Sequence, residues 1–339
     1  MKNASKLFLI INLLLLMISP TMISAESENT TDKRIVIPGG EAFGIKMFSK
    51  GLIVTKIEGF ESEGLNVCPA KIAGIEVNDI IVSANEEVLS SSKEFKEIIE
   101  KNNGQAIEIK LMRDNKEIST TLVPQKDSNS NYKAGMWIKD SAAGLGTISF
   151  YSQEYESFCG LGHGICDLDT GKLMPIDFGE VESATITSVT KSSCGKVGTL
   201  NGYFTNEMIG TAEHNCDIGI YGKAENIPDD KTPIKIANKD EVEKGEAYIL
   251  TTVEGNRCEK FDIKIKKIKR NTEDTNMVIE ITDDNLLKCA GGIVQGMSGS
   301  PIIQKNKLVG VITHVLIDDV KTGYAIFAET MYEKMITCE

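Results

Sequence analysis

The sequence contains no CxxC pair and only 3 histidines, so it offers no zinc- or redox-type cysteine site and few imidazoles to serve as a base. Eight cysteines spread over 339 residues are too sparse for a disulfide scaffold and read as small buried thiols. Positive charge is also short: Lys+Arg 37 against Asp+Glu 49 leaves a net charge of -12, which repels phosphate backbones and anionic lipid surfaces. Nucleic acid is therefore not an expected partner. Long apolar runs are missing beyond the N-terminus, which excludes a multi-span membrane protein. What remains, 41% hydrophobic and 25% charged residues, suffices for two soluble globular domains.

The first 25 residues read as an export signal. Lys2 and Lys6 precede the apolar run Leu7–Ile18, Pro20 breaks it, and Ile23-Ser24-Ala25 places a small residue ahead of Glu26. Extended to Ile23, the same run would serve as an uncleaved anchor, and both outcomes stay open. Export permits disulfides, although eight cysteines allow 105 pairings among which sequence cannot choose. Residues 26–34 are polar and read as a spacer.

Residues 35–125 are expected to form a small α+β module. Ile35–Ile37 starts a strand, Ala42-Phe43-Gly44-Ile45 makes a glycine-bearing loop, and Gly51–Ile57 is a strand rich in β-branched residues. Ser91 with Glu94 predicts a capping box, Phe95, Ile98 and Ile99 follow at helical spacing, and Gly104 ends the helix. Two strands then flank the turn Asp114-Asn115. This order, with the run Pro69-Ala70-Lys71-Ile72-Ala73-Gly74-Ile75 leading to Asp79-Ile80-Ile81, resembles a PDZ domain of the kind attached to exported bacterial proteases. The resemblance implies that Phe43, Gly44 and Ile45 receive a peptide's C-terminus or an internal segment while the peptide adds a strand to the sheet. Lys56 and Asp79 read as solvated surface.

After a polar linker, residues 126–134, helical periodicity gives way to short β-rich runs: Gly144–Phe150, Ala184–Val189, Ala247–Val253, Phe261–Ile268, Met277–Ile281, Pro301–Ile303 and Lys307–Val315. Residues 135–339 are enough for two small barrels. Within them, Gly296-Met297-Ser298-Gly299-Ser300-Pro301 reproduces the pattern around the nucleophile of trypsin-like serine peptidases. A glycine two residues before the serine lets the backbone turn so that the N–H groups of Gly296 and Ser298 point at a developing oxyanion. Gly299 leaves room behind the nucleophile, and Pro301 opens the next strand.

A serine hydroxyl needs a base. His163 lies well upstream between Gly162 and Gly164, as suits a loop at a barrel edge; His214 sits in a polar stretch, and His314 follows an apolar strand and reads as a wall of the specificity pocket. For the carboxylate that orients the base, spacing leaves Asp217 and Asp283 in competition.

Further motifs bear on that choice. Gly135–Ser141, Ala143–Thr147, Leu161-Gly162-His163, Ile281-Thr282-Asp283, the stretch Gly291–Ile302 and Thr313-His314-Val315 resemble the stage IV sporulation protein B peptidases. That resemblance implies an N-terminal PDZ domain and a trypsin-like double β-barrel, a mainly β chain, with a triad of His163, Asp283 and Ser298 and no metal or other cofactor. It implies a signalling endopeptidase, exported from the forespore, that clips itself and a regulator in a membrane-bound complex so that a late sigma factor is matured by intramembrane processing. Rival readings are a broad quality-control protease and an inactive PDZ-containing binding protein. Cysteines crowd the peptidase half, at Cys159, Cys166, Cys194, Cys216 and Cys289, more than this resemblance leads one to expect.

Overall fold

The computed structural model describes residues 34–272 and 275–338, and the export signal expected over 1–25 lies outside them. The chain enters through β1 (Ile35–Pro38) and a 16-residue strand β2 (Ala42–Ile57). Next come two short strands, β3 (Phe60–Ser62) and β4 (Leu65–Val67), and the helical turn α1 (Pro69–Ile72). A compact group follows: β5 (Ile80–Ala84), β6 (Glu87–Val88), helix α2 (Ser92–Lys101), β7 (Ile107–Arg113) and β8 (Lys116–Leu122). The predicted capping box is present, with Ser91 Oγ accepting from Glu94 N at 3.2 Å and Glu94 returning to Ser91 N at 3.2 Å. Asp114 and Asn115 both adopt positive φ, 48° and 60°, the geometry of a tight hairpin turn. Asp79 departs from the sequence reading. It is 1% exposed and held by Arg113, whose Nε and Nη2 each reach a carboxylate oxygen at 2.7 Å.

The linker expected at 126–134 is folded into this module. β9 (Gln125–Lys126) pairs with β10 (Tyr132–Lys133), and Ala134 joins the core formed by Leu52, Val54, Ile81, Phe95, Ile109 and Leu111. The chain then leaves along β11 (Met136–Ser152), which pairs with β2 over most of its length, from Met136 opposite Ile57 to Thr147 opposite Ala42.

Two closed six-stranded antiparallel barrels follow. The first joins β2, β11, β12 (Ser157–Gly160), β15 (Gly219–Ala224), β14 (Thr199–Cys216) and β13 (Phe178–Thr190), the last returning to β2. The second runs β17 (Gly245–Thr252), β18 (Cys258–Ile268), β19 (Met277–Ile281), β22 (Asp319–Phe327), β21 (Lys307–Leu316) and β20 (Pro301–Gln304), the last returning to β17. Closure leaves neither barrel an unpaired edge. β1 links them by pairing with β11 and with β16 (Ile234–Ile236), and β16 lies parallel to β21.

Closure corrects the sequence boundaries. Residues 135–339 supply only five strands of the first barrel, and the sixth is Ala42–Phe48, expected to belong to the PDZ module. Phe43, Gly44 and Ile45 are paired on one side with Gly146, Leu145 and Gly144, and on the other with Ser183, Glu182 and Val181. Their backbone N–H and C=O groups are spent in two ladders, and the side chains of Phe43 and Ile45 fill the barrel core with Ile148, Phe158 and Val181. A peptide cannot add a strand there, so these three residues are barrel wall and do not form the expected peptide-binding loop.

Candidate active site

The site forms where the first barrel's β12 end meets the loop before β20 of the second. Gly296 and Gly299 adopt φ of +100° and +101°, conformations open to glycine, and throw Ser298 outward between them. Gly299 is doubly constrained, because a Cβ there would lie 1.8 Å from the carbonyl oxygen of Thr147. Thr147 fastens the loop across the barrels, its N–H donating to Ser298 O at 2.9 Å and its Oγ1 to Gly296 O at 2.7 Å. Among the described residues, the N–H groups of Gly296 and Ser298 have no intramolecular acceptor. They are available to an oxyanion, the arrangement that the glycine pattern predicts. Ser300, the other serine of the motif, is fully buried and donates to Met297 O at 2.6 Å, which removes it as a nucleophile.

His163 reaches the same place from the first barrel. Leu161 and Gly162 both take φ of +69°, and Gly162 packs against Val311, Ile312 and Thr313 of β21 so closely that a Cβ would lie 3.0 Å from the Thr313 methyl. Asn215 pins the segment that follows, accepting from Ile165 N and donating to the carbonyls of Ile165 and Met174, each at 2.8 Å. His163 Nδ1 lies 2.9 Å from Gly164 O. A carbonyl only accepts, so Nδ1 carries the proton, and Nε2 of the neutral ring is left as the basic nitrogen.

Burial, the largest influence, holds His163 below the usual histidine range; the Gly164 hydrogen bond opposes this and nearby His314 reinforces it. A base works only when neutral. Its neutral form therefore persists to lower pH than that of a solvated histidine, and the acid limb of kcat/KM should have its midpoint below about 6.5. A pH profile on a short peptide checks this, and a midpoint above that value would be incompatible with His163 as the base in this setting.

Ser298 and the loop that carries His163 both meet β21 at Thr313, whereas the hydrogen bonds of Asp283 lie elsewhere. Ser298 Oγ donates to Thr313 O at 2.7 Å. Asp283 stands at the N-cap of helix α3 (Asp284–Ala290), where Oδ1 accepts from Asn285 N at 2.8 Å and Leu286 N at 3.0 Å, and Oδ2 lies 3.4 Å from Asp262 N. Among the described residues no hydrogen bond joins it to His163. An aspartate just before a helix that ends at Gly291 is a sequence signal for an N-cap. Asparagine caps equally well without the charge. Asp283→Asn should then retain hydrolysis within about tenfold, whereas Asp283→Ala should lose about 1 kcal/mol of stability. Kinetics and melting of the pair check this; a loss of roughly four orders of magnitude in the asparagine variant would restore the orienting role. Asp217, the other candidate, follows Cys216 at the end of β14.

Two contributors escape sequence reasoning: Thr147, which clamps the nucleophile loop, and the Gly164 carbonyl, which sets the tautomer. Both lie in motifs the sequence analysis names, but the clamp by Thr147 spans 149 residues, and the bond between the neighbours His163 and Gly164 depends on a ring orientation that no residue pattern encodes.

The chain also matches known families. A profile described as SpoIVB peptidase S55 matches residues 130–332, more than half of the chain. The chain belongs to the SpoIVB peptidase S55 family. It is a PDZ-containing serine peptidase, with a PDZ-domain profile matching residues 44–123. That match begins on the strand segment that also closes the first barrel of this S55 peptidase. No curated protein matches the chain. Among solved structures, the active form of the Rv3671c protease from Mycobacterium tuberculosis is similar at 16% identity and a TM-score of 0.35, covering 57% of this chain and 74% of that one. The HtrA-type protease AlgW with a decapeptide is similar at 13% identity and 0.32, covering 59% and 54%. The PDZ domain of the SdrC-like protein Lmo2051 from Listeria monocytogenes is similar at 18% and 0.22, covering 26% and 87%.

Proposed function

We propose that this S55 peptidase is a sporulation-signalling endopeptidase in which Ser298 is the nucleophile and His163 the general base. The observation that carries the chemistry is the junction itself: an outward serine between two positive-φ glycines, unused N–H groups at Gly296 and Ser298, and an Nδ1-protonated imidazole arriving from the other barrel. When substrate binds, the Ser298 hydroxyl turns from Thr313 O to Nε2 of His163. Oγ attacks the scissile carbonyl, Nε2 takes the proton and passes it to the leaving amine, and the Gly296 and Ser298 N–H groups hold the oxyanion. Water then resolves the acyl-enzyme by the same route.

Family membership supports the biological assignment, as does the sequence layout of residues 1–25. In this reading the enzyme is exported from the forespore into the space between its two membranes and held there by the segment 7–23 if that segment is not removed. It cuts itself, then a regulator within a membrane-bound complex, and so releases the intramembrane processing of a late sigma factor. Such an enzyme cuts at one or two sites. The test is to map the products of the purified chain acting on itself and on an unfolded protein, with reaction of Ser298 toward a fluorophosphonate probe read in parallel. Discrete self-cleavage and sparing of the unfolded chain are expected. Extensive degradation of the unfolded chain would indicate quality control, and an unlabelled Ser298 would indicate a binding protein.

A further inference from the structure

The reading of His163 as general base leaves one neighbour unexplained. His314 stands on β21 directly after Thr313, and its ring lies over that of His163 with centroids 4.9 Å apart and planes tilted by 34°. A local irregularity puts it there. In the β21–β22 ladder Ile312 faces Ala325 and His314 faces Tyr324, so the register slips between them and Thr313 is the additional residue of a bulge. Bulges bend a strand and re-aim the side chains beside it, and they recur next to active sites. This one has two consequences at the junction. The Thr313 carbonyl meets the Ser298 hydroxyl, and the exposed His314 ring covers the half-buried ring of His163.

The imidazole needs such a contact. Its Nδ1–H is held by the carbonyl of the adjacent residue, Gly164, a bond that fixes the tautomer but lies within a loop rich in glycine. In a Ser-His-Asp triad a buried carboxylate both anchors the ring and stabilises its cation. Here the Asp283 carboxylate caps α3. We propose that His314 is the positioning residue of His163, its ring holding the imidazole in the pose in which Nδ1 donates to Gly164. Titratable residues around that pose include His314 from β21 and Cys216 from the end of β14, whose carbonyl oxygen would lie 2.7 Å from a Cβ at Gly164; Cys166 and Asp167 follow in sequence on the base's own loop. Of these, His314 is the group whose charge acts on His163.

This inference rests on His163 being the base, and the experiment separates the two. Hydrolysis of a short peptide is measured for the full chain and for His314→Phe and His314→Ala, with Ser298→Ala setting the background. A misplaced general base forfeits part of a contribution of about 10²–10⁴-fold, so His314→Ala should lower kcat by at least about tenfold with KM changed less than about twofold. Its acid limb should also move to higher pH, because the ring that covers His163 and opposes its protonation is gone. His314→Phe, which keeps a ring on that face, should recover most of kcat. A wall of the specificity pocket behaves differently: His314→Ala raising KM with kcat unchanged, or an acid limb that stays in place, would overturn the proposal. Should the alanine variant melt early, His314→Gln decides by the same split of kcat from KM and the same limb. Wild-type activity equal to the Ser298→Ala background would instead sink the reading of the site itself.

Discussion

Ser298→Ala is expected to remove proteolysis altogether while the protein stays folded. Without the nucleophile no acyl-enzyme forms, and only the oxyanion donors and substrate binding remain, a loss of roughly six orders of magnitude in kcat. The folded state loses one hydrogen bond, from Oγ to Thr313 O, at a half-buried position, which costs about 1 kcal/mol. The effects thus separate: calorimetry should show a small shift in Tm, and a peptide assay should show background. Undiminished self-cleavage by purified Ser298→Ala would remove Ser298 from the mechanism.

Gly44→Val should have the opposite profile, a loss of fold from which loss of activity follows. Gly44 is buried in the first barrel, and a Cβ there would lie 2.2 Å from the ring of Phe204 on β14. Strand pairing on both sides leaves the backbone little freedom to retreat, and overpacking of this severity costs about 3 kcal/mol or more. Against a typical total of about 5–15 kcal/mol, that loss populates the unfolded state and exposes the chain to degradation. Cleavage of protein partners and of short peptides should fall together, with a lowered midpoint in urea. A stable variant that loses only cleavage of a protein partner would return Gly44 to the peptide-binding role.

The capping box at Ser91, the turn at Asp114-Asn115 and the glycine pattern around Ser298 are legible in sequence because each is closed within a few residues. His163 is legible because only 3 imidazoles exist and one lies between glycines. The segment Ala42–Phe48 is another matter. Its pattern suits any strand, and the choice between a peptide groove and a barrel wall is made by β13, more than 130 residues along the chain. The burial of Asp79 is hidden for a similar reason: an acidic residue reads as surface unless its distant partner Arg113 is known. For Asp283 the cap signal is local, an acidic residue just before a helix that ends at Gly291, while the triad role that the resemblance implies depends on His163, 120 residues away. The bulge that turns His314 toward His163 depends on cross-strand register, which no local pattern encodes.

The shared path of β2 and β11 fixes how the PDZ module is attached. Phe48 and Ser141 are direct partners in the ladder, so everything between them occupies the place of a hairpin loop. In topological terms the PDZ module sits within one hairpin of a protease barrel, and its two attachment points are the two rails of that hairpin. A guest attached at both ends by paired strands is a poor flexible tether and a good lever. One of those two strands, β11, continues to Thr147, the residue that clamps the Ser298 loop, so the module's point of attachment and the nucleophile's clamp share a single strand.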